Sequence, residues 1–177
     1  MTQRTITRHA QAGDWPGPAI DSVTLDYDSR HRRRIRLTTD GGETVLLDLP
    51  KAVAMAHGDG LRLDDGRWIE VRAADEPLME VICPDPLLML RIAWHVGNRH
   101  LPTDIAKTED GTLRLRLRPD HVIEEMIAGL GGTADHVSAP FQPEGGAYGG
   151  HGHPHGHSHG AHDNAAHDHA DHDHAAE

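Results

Sequence analysis

The stretch LMEVICPDPLLMLRIAWHVG, residues 78–97, decides the fold. Its first half is a short apolar run carrying β-branched Val81 and Ile82, the pattern of a strand. Pro84-Asp85-Pro86 then breaks the run. Asp85 can accept the free amides of a helix start, and Pro86 suits the first helical position. The following apolar residues nearly encircle a helix. This predicts packing against a sheet and a further face left for another subunit. Gly97 is placed at the helix end as the residue able to take the left-handed conformation.

Working outward, Ile105 and the alternating Leu113-Arg114-Leu115-Arg116-Leu117 read as two strands joined through Thr108-Glu109-Asp110-Gly111. A second helix is expected from Pro119, with Val122, Ile123, Met126, Ile127 and Leu130 inward, closed by Gly129, Gly131 and Gly132. A last strand is expected over residues 135–138. The order β-α-β-β-α-β is the ferredoxin-like arrangement. On the N-terminal side, from Ile20 to Ala73, apolar residues alternate at Val23, Leu25 and Tyr27, at Ile35 and Leu37, at Val45, Leu47 and Leu49, at Leu61 and Leu63, and at Ile69 and Val71. Turn signals at Asp40-Gly41-Gly42, Gly58-Asp59-Gly60 and Asp64-Asp65-Gly66 separate them, as in a small β-sandwich or barrel. The class is therefore α+β: a small all-β domain over residues 1–74, a ferredoxin-like domain over 75–143, and a disordered histidine-rich tail over 144–177.

The tail holds ten of the seventeen histidines: His151, His153, His155, His157, His159, His162, His167, His169, His172 and His174. Neutral imidazole is a common ligand for borderline transition ions. The first five rings alternate with Gly, Pro and Ser, so little side-chain bulk opposes folding two or three rings around one ion. The later His-Asp-His repeats add carboxylates that help neutralise a divalent charge. The tail has six acids and no Lys or Arg, so it carries −6 of the net charge of −11. Low hydrophobicity and one-signed charge exclude a core of its own.

Composition excludes several functions. Apart from Arg30-His31-Arg32-Arg33-Arg34, read as the solvated start of a strand, nothing suggests a nucleic-acid binder. The single cysteine, Cys83, rules out an intrachain disulfide framework and reads as a small buried apolar residue. The first residues carry no apolar signal core and no run is long enough to span a bilayer, so a cytoplasmic protein is expected. Neither a nucleophile–base pair nor a phosphate loop is present, which points away from an enzyme.

Outside the tail, the most specific segment is Trp94-His95-Val96-Gly97-Asn98-Arg99-His100-Leu101-Pro102. On position alone His100 reads as an imidazole favoured by the helix C-terminal dipole rather than as a ligand. HVGNRHLP (95–102), Phe141-Gln142-Pro143-Glu144-Gly145-Gly146-Ala147-Tyr148 and the histidine-rich end directly after it together resemble the urease accessory protein E family. Arg32-x-Arg34, Asp40-Gly41 and Gly58-Asp59-Gly60 also fit. The resemblance implies a β-rich domain likened to chaperone peptide-binding domains, followed by a ferredoxin-like metal-binding domain. It implies a homodimer in which His100 meets its symmetry mate and binds Ni²⁺, with His121, tail histidines or water completing the site. It further implies delivery of Ni²⁺ to the urease apoprotein through an accessory GTPase. Zn²⁺ or Cu²⁺ would compete, because the usual affinity order places copper above nickel. A general buffer for nickel, zinc or copper unconnected to urease, and a peptide-binding chaperone, are the alternatives. His95 is assigned to packing, and His9, His31, His57 and His136 are expected to lack partners.

Overall fold

The computed structural model describes residues 4–145. The tail histidines and the expected disorder of that segment lie outside the described residues. Two sheets and two helices make the architecture α+β. The first sheet has six strands: β1 (Arg4–Ala10), β2 (Asp21–Leu25), β3 (His31–Thr38), β4 (Thr44–Ala54), β5 (Gly60–Leu63) and β6 (Trp68–Ala73), in the order β2-β6-β5-β1-β4-β3. Its core gathers the alternating residues, with Ile6, Val45, Leu47, Leu61, Leu63, Ile69 and Val71 all at most 1 % exposed. Burial of each such side chain favours the fold by roughly 1.5–3 kcal/mol.

The sequence reading missed β1. Only Ile6 of Arg4–Ala10 is fully buried, so the apolar signal is a single residue. Strand formation there comes from neighbours on both edges: β1 pairs parallel with β4 at Arg4–Ile6 and antiparallel with β5 through a register shift between Ile6 and Arg8. Asp59, 3 % exposed, ties the same region together. It accepts from the Ala12 and Ala56 amides at 3.0 and 2.8 Å and contacts His9 Nε2 at 2.6 Å. Gly60 follows because a Cβ there would lie 2.5 Å from the Trp15 ring, which stacks on Trp68.

The second sheet comprises β7 (Asp75–Cys83), β8 (Asp104–Lys107), β9 (Leu113–Leu117) and β10 (Asp135–Pro140), in the order β10-β7-β9-β8 with every pair antiparallel. Helices α1 (Pro86–Gly97) and α2 (His121–Gly129) complete the order β-α-β-β-α-β. Asp85 caps α1 by accepting from the Leu87 amide at 2.9 Å, as its place before Pro86 predicts. The second helix starts later than the sequence reading placed it. Asp120 is the cap, accepting from Val122 and Ile123, and Pro119 stands outside. One face of each helix joins Met79, Val81, Leu115 and Leu117 in a common core.

The other face of this sheet is polar at one end and apolar at the other. Leu78 and Ala139 pack with Phe141 and Tyr27. Arg116 Nε meets Glu80 Oε2 at 2.6 Å, and Arg114 Nη2 meets Asp104 Oδ1 at 3.3 Å. The chain leaving β10 passes these groups. The Phe141 carbonyl accepts from Arg30, the Gln142 amide donates to Asp104 at 3.2 Å, and the Glu144 amide donates to the Thr103 carbonyl at 2.8 Å. Phe141 is fully buried. Phe141→Ala should therefore cost about 3–5 kcal/mol of stability, seen as a lower urea midpoint with an unchanged m-value.

Candidate metal centre

Helix α1 ends in a turn that the sequence reading assigned to the wrong residue. Gly97 does not adopt a positive φ, and a Cβ there would meet nothing within 4 Å. The chain instead tightens through Asn98 N–H to Trp94 O, Arg99 N–H to Val96 O and His100 N–H to Gly97 O, each 3.0 Å. His100 then takes φ = 54°, alone among the described non-glycine residues in having a positive φ. The left-handed region is disfavoured for residues with a Cβ, histidine being among the more tolerant. Glycine would fit without strain. Holding a residue there costs of order 1 kcal/mol.

His100 is exposed, and so is His121 in the first turn of α2. The pairing Asp104↔Arg116 brings the start of β8 and the end of β9 together, so the loop carrying His100 and the segment leading to His121 lie at one end of the sheet. Among the described residues no three His, Cys, Asp or Glu side chains converge as a metal site. One described chain thus offers imidazoles at that end without a closed cage. His95 is half-buried, edge-on to the Trp94 ring at 4.8 Å, and its carbonyl accepts from Arg99 at 2.8 Å. That agrees with a packing role.

Of the four histidines expected to lack partners, the His31 side chain has none among the described residues, but His9, His57 and His136 have partners that their sequence positions did not reveal. Besides the His9 contact with Asp59, the His57 Nδ1 accepts from the Ala73 amide at 3.3 Å and the His57 amide donates to Gln142 at 2.9 Å. His136 lies 3.4 Å from Glu124. All these partners except Gln142 and Ala73 are carboxylates, and each lies 12 or more residues away along the chain, beyond the reach of local pattern reading.

Leading towards His100, α1 shows solvent a row of large apolar groups: Leu87, Leu90 and Trp94, 58 %, 65 % and 64 % exposed. Their spacing of three and four residues aligns them on one helical face. On a two-fold axis it would bring two copies of the loop together, and one histidine per chain would become two.

Two family models cover this architecture. One describing the N-terminal domain of the UreE urease accessory protein matches residues 1–74, and one describing its C-terminal domain matches residues 76–175. The chain is 50 % identical over 147 residues to a urease accessory protein UreE of Beijerinckia indica, covering 83 % of this chain and 82 % of that one. It is 53 % identical over 150 residues to the protein of that name in a Chelativorans species, covering 82 % and 92 %. A third, from Rhodopseudomonas palustris, is 55 % identical over 134 residues, 76 % of this chain and 60 % of the relative.

His100→Gly should leave stability, read by thermal denaturation, unchanged or raise it by up to about 1 kcal/mol, since relief of the left-handed strain offsets the added chain entropy.

Proposed function

The chain belongs to the UreE urease accessory protein family, and on that premise we propose that it is a nickel metallochaperone that delivers Ni²⁺ to apo-urease. Membership of a urease accessory family supports a role in urease maturation rather than in catalysis. The observation that carries the finer reading is the strained, exposed His100 at the end of an unpartnered apolar stripe. A homodimer joined along α1 pairs two His100 imidazoles across the axis. His121, at the same end of the sheet, supplies an auxiliary ligand.

An open two-imidazole site suits a carrier. Nickel must enter, be held and leave, and a closed four-ligand cage would oppose release. The histidines from His151 to His174 gather ions at high capacity. The paired His100 holds one, and a partner with stronger ligands removes it by ligand exchange. The acceptor is the accessory GTPase together with the urease apoprotein. No helix of the described residues is long and apolar enough to cross a membrane.

Two measurements test this reading. Nickel calorimetry with light scattering, on a chain ended after Tyr148, should show one tight site per dimer that disappears in His100→Ala. Binding indifferent to His100 would move the chemistry to the tail and leave a metal buffer. Nickel affinity should also fall steeply between about pH 7 and pH 5, because a protonated imidazole has no lone pair to give. Affinity constant over that range would exclude histidine as the principal ligand.

A further inference from the structure

The loop that presents His100 has little structure of its own. Residues 101–103 make a single backbone–backbone hydrogen bond among the described residues, from the Glu144 amide to the Thr103 carbonyl at 2.8 Å. The Thr103 hydroxyl donates back to the Leu101 carbonyl at 2.9 Å, which closes the turn without fixing it to the body. A segment with so few bonds opens at low cost. His100 nevertheless sits at φ = 54°, a conformation that persists only where its surroundings hold it.

That hold lies at Asp104, the first residue of β8 and four residues after His100. Asp104 is 7 % exposed. One of its oxygens accepts from Arg114 Nη2 at 3.3 Å, and the other accepts from the Gln142 amide at 3.2 Å. Arg114 Nε has no acceptor, and Glu80 Oε2 stands 3.9 Å from it. A buried guanidinium so placed depends on the Asp104 charge. Gln142 belongs to the same segment whose Glu144 amide holds Thr103. One carboxylate therefore links the sheet, the chain leaving β10 and the loop behind His100.

A buried charge can serve stability alone, and Glu80 is the example. It pairs with Arg116 across the strands, as Asp104 does, and its carboxylate meets Arg116 Nε at 2.6 Å. Among the described residues its side chain bonds only to the two arginines, and to neither the loop nor the chain leaving β10.

We propose that Asp104 is a positioning residue for His100. With Arg114 behind it and the Gln142 amide in front, it clamps the loop so that the imidazole is held where an ion meets it. That the held imidazole serves nickel rests on the function proposed above; the clamp itself does not.

The test uses the full chain. A carboxylate accepts on both oxygens, whereas an amide accepts on one side and donates on the other, so Asp104→Asn must break one arm of the clamp. NMR order parameters of the Leu101 and Thr103 amides, measured without metal, should fall from about 0.85 to below about 0.6 in Asp104→Asn and stay near about 0.85 in Glu80→Gln. Ni²⁺ added at one ion per two chains should broaden the His100 ring resonances in the wild type and in Glu80→Gln, and about tenfold more should be needed in Asp104→Asn. If Asp104→Asn does not fold, Gln142→Pro deletes the donor N–H of the same bond and carries the same expectations. Order parameters that stay high when the clamp is cut, or fall equally in Glu80→Gln, would overturn the proposal. So would nickel broadening His100 equally in the wild type and Asp104→Asn. A wild-type His100 ring indifferent to nickel would instead sink the metal reading, and the order parameters would then decide the clamp alone.

Discussion

The short segment leaving β10 is the constraint on which the rest depends. Phe141 is fully buried against Tyr27, Leu78 and Ala139, and its carbonyl is fixed by Arg30 from the first sheet's side of the molecule. Gln142 and Glu144 then bond to Asp104 and Thr103 at the start of β8. Three contacts therefore tie together the 3₁₀ turn at Asp28–Arg30, the second sheet and the residues just after His100. The segment also covers a face carrying Glu80, Arg114, Arg116 and Asp104, side chains that are each less than a fifth exposed. Charges at that burial require good geometry to avoid a net penalty, and the strap adds a backbone amide to one of them.

The metal chemistry follows from a different economy. A helix ending at a glycine is the ordinary arrangement, yet here the glycine stays regular and histidine occupies the left-handed position three residues later. The backbone carries the strain so that the imidazole leaves the helix axis and faces solvent. Rigid support comes from the succession of tight turns between Trp94 and His100. A lone exposed imidazole binds a divalent ion weakly. In the proposed homodimer, symmetry would double it, with the exposed apolar row on α1 beside it as the contact surface.

The chain also segregates its charges. The tail is purely acidic among its ionised groups and rich in imidazole, while the arginines concentrate on one edge strand.

The sequence by itself determined the element order of the second sheet, the cap at Asp85, the alternating core of the first sheet from Val23 to Val71, and the family. These are legible because they rest on local periodicity, on caps adjacent in the chain and on contiguous motifs such as HVGNRHLP. Tertiary structure alone decided the rest. Strand β1 exists because β4 and β5 flank it, not because its own residues alternate. His9 has Asp59 as a partner fifty residues away, and Arg30 has Phe141 at a separation of 111. The left-handed residue is His100 rather than Gly97, after a run of tight turns from Trp94 to His100. Each of these is a long-range or steric consequence of packing, and packing is not written in the spacing of neighbouring residues.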